Sequence, residues 1–390
     1  MGAGPYGLSL AAHLQARRAP FHIVGHPLTT WRDHMPAGMH LKSDGFASSL
    51  SDPQAGHTLG DYCRGRGLPY DDNQIPVPLA RFVDYGLDFQ SRRVPSLDRR
   101  LITMVETSVD GFTVAFDDGG HLNARRVVLA VGISPFRHWP DALGGLPGTC
   151  VSHSFDHGDI GHLRDRDVMV IGAGASAVDL TAALHDVGAR PQMAIRGARV
   201  RFGSQPTGQP PGFWRRLRHP PSGLGPGLRS ALFERAPHLF RHLPAETRQW
   251  IVRRHLGPAS PWSMKERVVG RTPIHLDHAL RAARAHQGKV HLTFETPGGG
   301  TAVFAVDHVI AATGYRTDID RLDFVSASLR RRIHTIAQAP VLSANFETSV
   351  KGLYVIGPAA AASFGPLMRF MVGAGFAART VSRQLARGRP

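Results

Sequence analysis

Two runs of small residues in this 390-residue chain have the spacing of a phosphate-cradling turn. Gly2, Gly4 and Gly7 form a GxGxxG, and Gly172, Gly174 and Ala177 repeat it with Ser176 inside the second turn. In such a turn the first glycine allows a tight bend. The second lets the backbone approach a pyrophosphate, and the third position lets the following helix pack on the preceding strand. The helix that starts there turns its free N–H groups and positive dipole end toward the phosphates. Arg196, Arg199 and Arg201 follow the second unit, where an acid would hold a free ribose 2′-hydroxyl. Arginine suits a 2′-phosphate, so the second unit is expected to take NADPH rather than NADH.

Other chemistries find little support. There is no HExxH, no GxSxG and no metal-spaced His/Asp/Glu cluster, and no metal is expected. The two cysteines, Cys63 and Cys150, are too far apart in sequence for a CxxC centre, a zinc site or a disulfide framework.

The elements around the glycine runs differ in completeness. Asp167–Ile171 reads as a buried strand, VDLTAALHDVGA as an amphipathic helix and PQMAIRG as the next strand, a full βαβ unit. The first run leads into the helical LSLAAHLQARRAP and the short strand Phe21–Val24. Only Met1 precedes it, where a strand of about five residues belongs. The reading favoured is a start assigned too late, with the first strand missing. The stretch after Val24, Gly25-His26-Pro27, offers no acid for a ribose. Three further hydrophobic strands end in small-residue turns, at Gly132, Gly314 and Gly357, the last followed by a helix from about 363.

Composition bounds the rest. Apolar residues make up 42% of the chain and charged ones 19%, enough for a substantial core. The net charge is +16, and 42 of the 46 basic residues are arginine. They are scattered, so nucleic-acid binding is not expected, although the field favours anionic ligands. No apolar run reaches the roughly 18–20 residues that cross a bilayer, and no signal peptide is evident. A cytoplasmic protein is the expectation.

Two dinucleotide fingerprints some 170 residues apart, with Ala312-Thr313-Gly314-Tyr315 after the second, resemble the two-dinucleotide-binding-domain flavoproteins. The absent CxxC sets the chain apart from the thioredoxin-reductase branch. ATGY, Trp31 in LTTWRDHM, and Gly148 with His153, similar to an FxGxxxH fingerprint, resemble the class B flavin monooxygenases. Within them WRDHMPAGMHLKS, PVPLARFVDYGLDFQ and SFGPLMRFMVGAGFAAR look similar to bacterial proteins labelled FAD-dependent urate hydroxylases, and the group includes lysine and ornithine N-monooxygenases.

The resemblance implies an α/β fold of two Rossmann-like three-layer domains. Residues 1–150 and 302–390 would bind FAD, and 151–301 would be inserted and bind NADPH. It implies that NADPH reduces FAD and that a flavin C4a-(hydro)peroxide transfers one oxygen atom of O2 to a small organic substrate. Lys42 and His153 are the candidate catalytic residues. Trp31, Ser43, Gly357 and Ser363 would line the cofactor, with Phe364 and Arg369 flanking its ring. Gly357-Pro358 departs from the Gly-Asp common in the family. Two rivals stay open. One is a flavin reductase or oxidase that inserts no oxygen. The other is a flavin-free, NADPH-binding interaction protein, suggested by the incomplete first unit and Pro358.

Residues 202–270 form an insert dense in Pro, Gly, Arg and aromatics, including Trp214, Trp250 and Trp262. Its first 25 residues read as loop, while SALFERAPHLFRHL and AETRQWIVRRHL have helical spacing. A lid over the substrate path, an ordinary packed insertion, and a membrane-surface or partner-binding helix pair are the readings, with membrane contact the least favoured.

Overall fold

The computed structural model describes residues 2–73, 75–203, 219–255, 260 and 262–387; Trp214 and the loop expected around it lie outside them. The architecture is mixed α/β. Its best-formed sheet has five parallel strands in the order Val151–His153, His308–Ala311, Asp167–Ile171, Arg190–Ala194, Ile274–His275. Its central strand is apolar on both sides, the pattern of a parallel strand covered on two faces. Val168 and Val170 face the helix Ala175–Asp186 and pack with Val178 and Leu180. Met169 and Ile171 face the other way, toward Val290, Leu292 and Phe294. Those belong to an antiparallel meander, Ala279–His286, Lys289–Glu295 and Thr301–Val306. The third layer of this fold is therefore a sheet rather than helices.

This sheet moves a boundary. The return to the first fold, expected at 302, comes after Ala311. His308–Ala311 pairs residue for residue with Val168–Ile171 on one side, and Val309–Ala311 with Val151–His153 on the other. Buried on both flanks, that strand cannot leave the second fold. Just beyond it the two crossing segments run antiparallel and bond to each other. His138 N–H donates to Gly314 O at 2.9 Å and Arg316 N–H to Phe136 O at 2.7 Å.

In the first fold, the helix Pro5–Ala16 lies against the C-terminal helix Gly373–Arg387, and Arg17 Nε donates to Ser382 Oγ at 3.0 Å. Val127–Leu129 pairs in parallel with Leu353–Val355. The strand expected at Phe21–Val24 is extended backbone with a single bridge, from Val24 to Asp98. Gly2 sits between these pieces. Its N–H donates to Val24 O at 2.9 Å, and a Cβ added to it would lie 2.3 Å from Ala130 O.

The helix expected from 363 is broken. Gly365 has φ +83°, in the left-handed region, and ends the short helix Ala361–Phe364; the long helix starts only at Gly373. The insert is helical over Leu228–Arg235, Pro237–Phe240 and Ala245–Arg254. Pro237 ends the first of these because it cannot donate the backbone bond a continuing helix needs.

Candidate functional site

The two glycine runs adopt one geometry. In the first, Pro5 occupies the first helical turn and its extended N-cap is Gly4 (φ −80°, ψ −174°). In the second the N-cap is Gly174, with φ −81° and ψ 174°. Neither helix has a side-chain cap. The orphan N–H groups of each first turn are thus left for a ligand, and the dipole favours an anion there. Gly172 matches Gly2 in detail. Its φ is +144°, its N–H donates to Ala194 O at 3.1 Å, and an added Cβ would lie 2.2 Å from Ala312 O. Each glycine is thus wedged between an extended segment that accepts its N–H and the residue just past a buried strand, Ala130 or Ala312.

The third positions differ. A Cβ on Gly7 would lie 1.8 Å from Gly2 O, so helix and turn touch backbone to backbone. Ala177 accommodates its Cβ and is fully buried.

Around the first turn stand the other expected residues. Trp31 reaches to 3.9 Å of the Cβ position of Gly4 and packs on Phe82. Gly132 (φ +66°) has open space at its Cβ position. Gly357, at φ +82°, faces the ring of Tyr6. Sequence reasoning missed Tyr6, whose buried hydroxyl donates to Phe370 O at 2.7 Å and Met368 O at 3.0 Å. Those bonds tie the first turn to the segment after Gly365. A tyrosine inside a glycine motif was the available signal.

Around the second turn, Ser176 is exposed in the first helical turn and Gly314 is open at φ +80°. Arg196, Arg199 and Arg201 are exposed and have no ion-pair partner among the described residues. Both sites therefore fit a dinucleotide: bare helix N-termini, cradles that a Cβ would fill and, in the second, free guanidinium groups.

Several expected residues are placed elsewhere. Lys42 Nζ lies 2.5 Å from Asp179 Oδ2, joining the first fold to the helix Ala175–Asp186. That salt bridge holds the ammonium group at the junction of the two folds. Asp179 is 6% exposed, and burial pushes its carboxyl above the usual range, with Lys42 pulling the other way. An acid in an otherwise apolar helical face was the signal for this pair. Ser43 Oγ bonds Ser48 Oγ at 2.8 Å. Ser363 Oγ accepts from Leu342 N–H at 3.1 Å inside the core. Phe364 is fully buried and stacks on Phe346, with ring centroids 4.0 Å apart, so it packs the core rather than flanking a ring. Arg369 Nη1 donates to Val252 O and anchors the insert.

His153 is fully buried, Nε2 at 3.3 Å from Gly314 O and its ring edge-on to Tyr315. Beside it, Ser152 Oγ lies 2.7 Å from Nε2 of both His157 and His308. Burial pushes His153, His157 and His308 down to about 4. A proton that the unfolded chain binds near 6.5 is therefore refused by the folded one. Stability from these three groups is complete above about 6.5 and drains as pH falls toward 4. Melting temperatures between pH 7 and 4.5 test this, and His157→Gln and His308→Gln should flatten the slope.

The family described as pyridine nucleotide-disulphide oxidoreductase matches residues 1–378. Indole-3-pyruvate monooxygenase YUCCA1 of Oryza sativa subsp. japonica is 26% identical over 205 residues, 50% of this chain and 47% of that protein. The chain thus spans about half the length of that relative. Probable indole-3-pyruvate monooxygenase YUCCA3 of Arabidopsis thaliana is 22% identical over 360 residues, 82% of this chain and 73% of the relative. Among solved structures, the ornithine N-hydroxylase KtzI of Kutzneria sp. 744, with reduced FAD, NADP+ and L-ornithine, superposes with a TM-score of 0.77. It is 16% identical, and the match covers 99% of this chain and 97% of that one, a likeness of fold.

Proposed function

The chain belongs to the pyridine nucleotide-disulphide oxidoreductase family, and from that premise we propose that this oxidoreductase is an FAD-dependent, NADPH-using monooxygenase of small organic molecules. The observation that carries the reading is the pair of matching glycine turns, each opening an uncapped helix. The first, with Trp31, Gly132 and Gly357, would hold FAD; the second, with Ser176, Gly314, Arg196 and Arg201, would hold NADPH. The family's dithiol chemistry has no place here, because Cys63 and Cys150 are both free and Cys63 is buried. The ornithine, lysine and indole-3-pyruvate named for similar proteins support a small polar substrate.

When bound and reduced, the flavin would supply the electrons that activate O2 for transfer of one oxygen atom. The protein's share is positional. Uncapped N–H groups would fix the pyrophosphates, and the bonded crossing segments set one fold against the other. His153, neutral near pH 7 and bonded to Gly314 O, would hold the turn beside the NADPH cradle rather than move a proton.

The test is anaerobic mixing of flavin-loaded protein with NADPH, then aerobic product analysis with candidate amines and keto acids. Bleaching of flavin and an oxygenated product are expected. Bleaching with peroxide as the sole product makes the chain an oxidase, and failure to take up FAD makes it an NADPH-binding protein. Arg196→Ala with Arg201→Ala should lower kcat/KM for NADPH by roughly tenfold or more, from the loss of charge-assisted phosphate bonds. The value for NADH should change little.

A further inference from the structure

The helical insert presents an unusual surface. Of the 13 large apolar side chains exposed among the described residues, five fall within 228–250: Leu228, Leu232, Leu239, Leu243 and Trp250. Leu228, Leu239 and Trp250 are 65%, 63% and 52% exposed. Isolated exposed leucines need no explanation, but five exposed apolar side chains within one short stretch of chain do. It is not a misplaced core, because the insert already has an inner face. Ala231 and Phe240 are buried there, Phe233 meets Phe240 edge-on, and Arg248 Nη1 donates to Ala362 O at 2.9 Å. Leu228 and Leu232 are one turn apart and share the opposite, outer face of their helix.

The charge around these leucines selects the occupant. Residues 228–255 hold six arginines and two glutamates, a difference of +4. Glu234 is turned inward and accepts from Gly223 N–H at 2.7 Å. Arg229, Arg235, Arg253 and Arg254 are exposed, and Arg254 lies over the Trp250 ring at 5.1 Å. Two copies of this face would oppose like charges, which weighs against self-association. Outward leucines in the same segment as exposed arginines, with Arg254 over the Trp250 ring, suit the interface of an anionic bilayer. No helix among the described residues is long and apolar enough to cross a membrane. We propose that Leu228–Arg254 docks the protein on anionic lipid surfaces, lying in the headgroup region without crossing.

Vesicle flotation tests this with the full chain. Vesicles of phosphatidylcholine alone are compared with vesicles that also contain phosphatidylglycerol. Binding to the anionic vesicles should be on the order of tenfold tighter or more and should weaken with salt. Trp250 fluorescence should shift to the blue on binding, a change absent from Trp250→Phe. Leu228→Ser with Leu232→Ser and Leu239→Ser should abolish flotation while leaving melting temperature and cofactor content unchanged, because these side chains touch no core. Equal binding of that variant and the native protein overturns the proposal, as does no preference for anionic lipid. A dimer that the same variant dissociates, without vesicle binding, assigns the face to a second copy and also overturns it. Loss of turnover with no vesicle binding assigns it to a substrate lid.

Discussion

Gly7→Ala should strip the protein of its first dinucleotide, which is FAD in the reading proposed above. The new methyl would sit 1.8 Å from Gly2 O and 2.9 Å from Gly2 C, both backbone atoms. No side-chain rotation relieves that overlap. Gly2 cannot retreat either, because its own Cβ position is 2.3 Å from Ala130 O and its N–H is held by Val24 O. The helix must lift off the turn, and its N–H groups move away from the pyrophosphate. Overpacking of this kind costs about 3 kcal/mol, which as lost affinity is roughly 150-fold. Flavin absorbance of the purified variant, relative to protein absorbance, measures it. Native flavin content in Gly7→Ala would refute the backbone-contact account. Ala177→Gly is the control: it removes a tolerated methyl and should cost no more than about 1 kcal/mol.

Lys42→Met should be nearly as damaging by another route. Asp179 is buried, and Lys42 Nζ at 2.5 Å is its ion-pair partner. Removing one member of a buried pair leaves an uncompensated charge and costs about 3–5 kcal/mol, here toward the lower end because the Lys42 side chain is 31% exposed. The penalty should depend on pH with a definite sign. Burial already raises Asp179 in the folded state, and losing Lys42 raises it further, while the unfolded chain stays near 3.9. The folded variant then binds more protons than the unfolded one, so its stability falls as pH rises through the folded value. The deficit in melting temperature against the native protein should be larger at pH 8 than at pH 5. A deficit independent of pH would show that packing and not charge is lost. Lys42→Met with Asp179→Leu should recover most of the stability, because an apolar pair carries no desolvation penalty. Since the pair joins the two folds, the single variant should also slow flavin reduction by NADPH more than it weakens NADPH binding.

Local signals were the readable ones. The turn at Gly172–Ala177, its strand and its helix lie within some thirty residues, so periodicity and glycine spacing suffice to draw them. The two-fold α/β architecture followed from finding that pattern twice. Features that depend on distant partners stayed hidden. Phe21–Val24 has strand-forming residues, but among the described residues it bridges only at Val24 to Asp98, so it remains merely extended. Residues 302–311 look the same whether they close the first fold or the second, and only pairing decides it, 302–306 with Val290–Phe294 and His308–Ala311 with Val168–Ile171. The Lys42–Asp179 bridge spans 137 positions and the Tyr6–Phe370 bond 364, distances over which sequence spacing says nothing. Phe364 and Ser363 sit beside the expected flavin position in sequence, yet their side chains point into the core. Proximity along the chain predicted neighbourhood but not direction.

The pairing of Val127–Leu129 with Leu353–Val355 also sets an order of events during synthesis. The two strands are 226 positions apart, and every residue of the second fold's parallel sheet lies between them. A ribosome adding about 5–20 residues per second leaves the first strand without its partner for roughly 11–45 s. The inserted fold gains its last strand, His308–Ala311, earlier and can close while the surrounding one is still incomplete. The nascent chain thus carries a finished second glycine turn beside an unpaired, apolar strand of the first fold. That open strand pair is completed only when Leu353–Val355 arrives.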